Sequence, residues 1–211
     1  MANKTPLKQL IKPVLKTKGN EVYFAHDDCK FYILNNVFKE EISSNSSNKF
    51  EEIVSNLCYD ANKNCFWGCS ENADNMIYKL DKEVNIIGRI INTNHSNCFN
   101  KPVGICHNNF TDTILVAYKN EIVILSDQGN YITSLKSVNN ITDIACYFSF
   151  IYILSNNTII ALKYNGFKVW EQEIDYDDEF LCLQANENYY DRTEFMVLGK
   201  KNLYHLKIYH I

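Results

Sequence analysis

Glycine and proline are scarce in this 211-residue chain, with seven and three respectively. That composition excludes a collagenous or linker-rich polypeptide and leaves little from which to build a phosphate-cradling loop. No Walker-type loop, Gly-x-Ser-x-Gly, His-Glu-x-x-His or Gly-x-Gly-x-x-Gly occurs, so the corresponding nucleotide, esterase, zinc-protease and dinucleotide chemistries have no signature here. No run of about 18 apolar residues exists to cross a bilayer as a helix. No apolar core of about 7–15 residues follows the first lysine, so a secretory signal is not expected. Charge of one sign is also lacking. The net charge is −4, and the clustered Lys/Arg that nucleic acid or an anionic membrane requires is absent. The one basic concentration, Lys4, Lys8, Lys12, Lys16 and Lys18, reads as a solvated face or as a seat for an anionic partner. Together these absences lead to the expectation of a cytoplasmic protein with no cofactor and no nucleic-acid or membrane partner.

What the chain does contain is apolar and aromatic. Hydrophobic residues make up 46% and charged residues 22%, a globular balance, and 14 Tyr with 12 Phe suit β-strands. A chain of this length buries roughly 70% of its unfolded surface without staples, and residues 1–211 are expected to form a single domain. Eight cysteines without a secretory signal read as reduced thiols, not as a disulfide framework. The sequons at Asn94, Asn109, Asn140 and Asn156 are what an Asn-rich chain produces by chance.

Residues 99–135 set the pattern. Four short β-type runs separated by turn residues make an antiparallel meander that cannot bury both of its faces alone. Copies of it recur. Phe31-Tyr32-Ile33-Leu34, Ile77-Tyr78-Lys79-Leu80, Ile122-Val123-Ile124-Leu125, Ile159-Ile160-Ala161-Leu162 and Leu203-Tyr204-His205-Leu206 are segments of one kind. Their closing leucines are 46, 45, 37 and 44 residues apart. Each follows a second β-rich run at hairpin distance. Candidate first strands lie at 56–59, 103–106, 143–146 and 180–183, with a weaker one at 14–16, and fourth strands at 37–42, 85–91, 131–135 and 168–174. Four strands per unit at roughly 43 residues is the period of a β-propeller blade. The expected fold is therefore all-β: a five-bladed propeller of four-stranded antiparallel blades. The last unit is too short for a fourth strand, so an N-terminal strand at Thr5 to Ile11 is expected to close the ring. The same segment also fits helical spacing, interrupted at Pro13.

Phe99-Asn100-Lys101-Pro102-Val103-Gly104-Ile105, Ile114-Leu115-Val116-Ala117 and Ile122-Val123-Ile124-Leu125-Ser126-Asp127-Gln128-Gly129 together resemble an NHL-type propeller repeat. Leu57-Cys58-Tyr59-Asp60-Ala61-Asn62, Phe66-Trp67 and Ile77-Tyr78-Lys79-Leu80-Asp81 resemble the related repeats that carry a Trp in the second strand. The resemblance implies a rigid wheel that binds protein, nucleic acid or small ligands, with only some members enzymatic. No catalytic set carries over with it.

Candidate site residues follow from position. Cys58, Cys106, Cys146 and Cys182 fall near one place in four successive first strands, where a small apolar side chain packs well and a ring of thiolates would suit a soft metal. Cys65, Cys69, His95 and Cys98 have zinc-like spacing, but strand neighbours four apart are separated by about 13 Å. Cys106-His107 resembles a nucleophile and base, yet adjacent strand residues point to opposite faces. Asp175, Asp177, Asp178 and Glu179 form an acidic connector without the EF-hand pattern, and Glu71 and Asp74 lie in a similar polar loop. Asp60 and Asp143, near first strands, are the carboxylates to suspect for glycoside-type chemistry. Tyr189 and Tyr190 could stack on a sugar or base. The leading expectation is a non-catalytic binding or scaffold module with a protein, small-molecule or carbohydrate ligand at one end of the channel, near Asp60, His107, Asp143, His95 and Tyr189. The alternative is a propeller-type hydrolase or lyase using carboxylates or a metal at the channel mouth. Both rest on fold-level analogy.

Overall fold

The computed structural model describes residues 12–18, 21–25, 31–35, 41–43, 56–69, 76–81, 85–91, 101–136, 138–189 and 192–209. They form antiparallel sheets joined by short turns. The first sheet contains β1 (Lys12–Lys18), β2 (Glu21–Ala25), β3 (Phe31–Asn35) and β4 (Glu41–Ser43). The second contains β5 (Asn56–Asp60), β6 (Cys65–Cys69), β7 (Met76–Leu80) and β8 (Ile86–Ile91). In the third, β9 (Gly104–Asn108), β10 (Thr113–Tyr118), β11 (Glu121–Ser126) and β12 (Tyr131–Leu135) pair in chain order. The fourth holds β13 (Ile141–Tyr147), β14 (Phe150–Ser155), β15 (Thr158–Lys163) and β16 (Lys168–Glu173). The last strands, β17 (Phe180–Tyr189), β18 (Arg192–Gly199) and β19 (Leu203–Tyr209), make a three-stranded sheet.

This corrects the expected count. The propeller-like arrangement has four four-stranded blades, not five, because no described strand pairs with β19 on its outer edge. The described chain beyond β18 is used by the β18–β19 pairing, which runs from Leu198↔Leu203 to Arg192↔Tyr209. The expected closing strand, Thr5 to Ile11, lies outside the described residues. The first described strand, β1, instead heads its own sheet by pairing with β2.

Strand alternation explains why the sheets stack. On β10, Ile114, Val116 and Tyr118 pack with Trp67, Cys69 and Ile77 of the second sheet, while Leu115 and Ala117 pack with Ile141, Ile144 and Ile151 of the fourth. Tyr152 and Leu154 of β14 then face Phe195 and Val197 of β18. β6, β10 and β14 are thus buried on both faces, at roughly 1.5–3 kcal/mol per large apolar side chain. Outer strands such as β16 are mostly exposed. First strands lie side by side: β5 touches β1 and β9, β13 touches β9 and β17, and β1 also touches β17. Cys58 and Cys106 sit in the cores between sheets, and no disulfide joins any of the six described cysteines. No helix among the described residues is long and apolar enough to cross a membrane.

Candidate metal centre at the seam of the second and third sheets

β5 and β9 are followed by hairpin turns at 61–64 and 109–112, each closed by a residue in the left-handed region, Asn64 (φ 52°) and Asp112 (φ 52°). Asn and Asp tolerate that backbone better than other non-Gly residues. The last residue of each strand caps its own turn: the Lys63 N–H donates to Asp60 Oδ1 (3.0 Å), and the Phe110 and Thr111 N–H groups donate to Asn108 Oδ1 (2.8 and 3.2 Å). Because β5 and β9 are neighbours, the two turns meet. Ala61 N–H donates to Asn109 Oδ1 (3.1 Å), and the Asn62 amide donates to the Asn109 carbonyl (2.8 Å).

His107, Asp60 and Asp112 converge at this seam, with one ligand atom from each lying within 4.8 Å of the others. The side chains of Asp60 and His107 are fully buried, whereas that of Asp112 is 43% exposed and opens the cluster to solvent. His107 Nε2 lies 3.5 Å from Asp60 Oδ2 and 3.2 Å from Asp112 Oδ1. Nδ1 lies 3.0 Å from Asn109 Oδ1. The Asn109 amide is oriented by the Ala61 N–H, which only an oxygen can accept, so its Oδ1 takes the proton of Nδ1. Nε2 is then left facing carboxylate oxygens, and a proton or a cation must lie between them.

Around this core, Trp67 Nε1–H and the Cys65 thiol donate to Asp60 Oδ2 at 3.4 and 3.9 Å, which helps to satisfy a buried carboxylate. Burial, and then the charge of Asp60, push the Cys65 thiol above its usual value. Lys63 Nζ reaches both Asp112 oxygens (3.1 and 3.0 Å), Asp127 Oδ2 (2.8 Å) and, at 3.9 Å, Asp60 Oδ2. Burial alone would lower the Lys63 amine, but its bonds to Asp127 and Asp112 outweigh that and hold it above the usual lysine range. Asp127 is correspondingly held below the carboxylate range by Lys63. Three carboxylates thus share one lysine beside the His107 imidazole. The donor set of the cluster, one imidazole and two carboxylates, suits a divalent ion of the zinc or manganese type better than calcium.

The other expected site residues are dispersed. Asp143 is buried on β13 and its Oδ2 accepts the Leu183 N–H of β17 (2.8 Å), a clasp between sheets. Tyr189 ends β17, while His95, Cys98, Glu71, Asp74 and Tyr190 lie outside the described residues. Cys65 and Cys69 occupy opposite ends of β6. Asp178 caps its own connector, accepting from the Glu179, Lys201 and Asn202 N–H groups and from the Tyr204 hydroxyl, and Asp177 pairs with Lys201. Sequence reasoning singled out Asp60 and His107 separately but missed Asp112, Lys63, Asn109 and Asp127. The available signal was a pair of polar four-residue turns, each following a first strand.

The fold is a propeller-like arrangement of evenly spaced, blade-like β-sheets, and the cluster of Asp60, His107 and Asp112 is a place where an ion or ligand can bind near one face. No protein-family model matches the chain, and no curated protein matches it. Among solved structures, the one titled "Structure of U3-55K" is similar, with a TM-score of 0.64 at 6% identity over 92% of this chain. This chain spans 62% of the length of that one. Such likeness extends to 1034 solved chains, so it shows a fold and selects no role.

Proposed function

We propose that the protein is a propeller-type metal-dependent hydrolase or lyase with Asp60, His107 and Asp112 as the ligands of a divalent ion. The supporting observation is the orientation of His107: Nδ1–H donates to Asn109, and Nε2 faces Asp60 and Asp112. A ligating histidine characteristically gives its other N–H to an oxygen in this way. Three protein ligands with an open position are the pattern of a catalytic site rather than a structural one, and the exposed side of Asp112 supplies that opening. A bound ion there would polarise a substrate oxygen or lower the pKa of a bound water. Asp60, buried and pinned by Lys63 N–H and Trp67, holds one ligand position rigid.

A second reading is the non-catalytic binding module, with a protein, small-molecule or carbohydrate ligand at this face. It is favoured by Lys63, whose ammonium already neutralises part of the cluster. The NHL-type repeat identity belongs with these proposals, supported by the residues of the second and third sheets. A reducing, cytoplasmic setting belongs with these proposals, supported by the six described cysteines, none of which is in a disulfide.

The test is a thermal shift on the chelator-stripped full chain titrated with Zn²⁺, Mn²⁺, Ca²⁺ and Mg²⁺. At a hundredfold excess over Kd, binding stabilises by about 2.7 kcal/mol. At ~2–4 °C per kcal/mol for this size class, Tm should rise about 5–10 °C with Zn²⁺ or Mn²⁺. EDTA should reverse the rise, and His107→Gln and Asp112→Asn should remove it. No shift of the wild type with any of the ions would refute the metal centre.

A further inference from the structure

We propose that Lys63 is a resident counter-cation of this centre, seated on Asp112 in the ion-free protein and moved onto Asp127 when a divalent ion binds. The inference rests on the metal reading above and specifies how loading of that site is regulated.

Lys63 Nζ contacts both oxygens of Asp112, and Asp112 Oδ1 also faces His107 Nε2. An ion ligated by Asp112 would have to share a carboxylate whose two oxygens both already accept from Lys63. An ammonium and a dication only a few ångströms apart also repel strongly. Lys63 therefore has to leave Asp112 for the ion to enter. Asp127 is already in contact at 2.8 Å, on the turn after β11, and is one-quarter exposed. The ammonium can thus withdraw by a small rotation of its flexible stem and stay paired. The backbone need not follow, because the Lys63 N–H remains bonded to Asp60 Oδ1. Gln128 donates to the same Asp127 oxygen (2.9 Å) and helps to fix the second seat. Loading is then an exchange of one cation for another over the shared carboxylate of Asp112. Affinity is set partly by Lys63, and the Lys63 amine gives up its two bonds to Asp112 as the ion binds, which frees it for reaction.

Two measurements on the full chain test this. Competition against a chromophoric chelator gives Zn²⁺ and Mn²⁺ affinities for the wild type, Lys63→Met and Lys63→Arg. Lys63→Met should bind about tenfold more tightly, since a competing charge is gone, whereas Lys63→Arg should not. Amine acetylation read by peptide mass spectrometry, in saturating Zn²⁺ and in EDTA, should show Lys63 modified several-fold faster with the ion. Lys119 and Lys168, which are exposed and distant in the chain, should be unchanged. If Lys63→Met does not fold, the labelling of the wild type decides. Wild-type binding without faster Lys63 labelling, or with no gain in Lys63→Met, overturns the counter-cation and leaves the metal centre standing. Absence of binding to the wild type overturns both.

Discussion

Asp143→Ala should be among the most damaging substitutions in the chain. The carboxylate is buried where three first strands meet: it belongs to β13, accepts the Leu183 N–H of β17 at 2.8 Å, and packs over Gly104 of β9. Truncation removes a charge-assisted bond worth roughly 1.5–3 kcal/mol and strands a buried N–H whose desolvation costs about 1–3 kcal/mol. These overlap, so a loss of about 3 kcal/mol is expected, or ~6–12 °C in Tm. Asp143→Asn keeps an acceptor and should lose about 1 kcal/mol. Urea titration at neutral pH suits the measurement, with Trp67 fluorescence as reporter because that ring is buried in the core between the second and third sheets. Gly104→Ala gives an independent approach to the same clasp. Its added Cβ would overlap Asp143 Oδ1 and come within 3.1 Å of the Ile144 N, an overpacking cost of about 1–3 kcal/mol. Acting through one contact, the two changes together should fall short of additivity. An Asp143→Ala protein within about 0.5 kcal/mol of wild type would refute the clasp and return Asp143 to the ligand-binding candidates.

The acid limb of stability should involve Asp178. Burial alone would raise its carboxyl, but bonds from the Tyr204 hydroxyl and the Lys201, Asn202 and Glu179 N–H groups outweigh that and hold it below the usual range. With its folded value depressed, Asp178 contributes stability above the unfolded pKa of about 3.9 and loses it as pH falls through the folded value. The stability gap between wild type and Asp178→Asn, measured by urea titration, should therefore be present at pH 7 and shrink below about pH 4; a gap independent of pH would contradict this. Among the described cysteines, thiol labelling of the native protein should spare Cys58, Cys65, Cys69 and Cys106, which are buried, and reach Cys146 and Cys182 first. Burial followed by the neighbouring Cys146 pushes the Cys106 thiol well up, which slows it further. Rapid native labelling of Cys106 would show that the seam between the third and fourth sheets opens.

Much of the strand pattern was legible because it is local. The β12 boundaries, 131–135, match the expectation, and the segments ending at Leu80, Leu125 and Leu162 lie in β7, β11 and β15. In these strands apolar side chains recur at the period that pleating requires. The number of complete blades was not legible in the same way. Whether β19 has an outer neighbour depends on which distant segment offers its backbone, and hydrogen-bond partners across a sheet edge leave no mark in the local composition of Leu203–Tyr209. The site was half legible. Asp60 stood out as an acid at a strand end. His107 was named with Asp60 among the residues expected near the channel end, but as a base it was weighed only against its sequence neighbour Cys106, to which strand geometry denies it.

Alternation, turn residues and period by themselves determined that this chain builds repeated antiparallel sheets with two apolar faces. Each of those properties is decided within a few residues. Only the tertiary structure decided that β5 lies against β9. That juxtaposition follows from the burial of Cys58, Trp67, Ile105 and Ile114 in a common core, a non-local outcome. It is this packing that carries the turns at 61–64 and 109–112 together and gives Asp60, His107, Asp112 and Lys63 one another as neighbours.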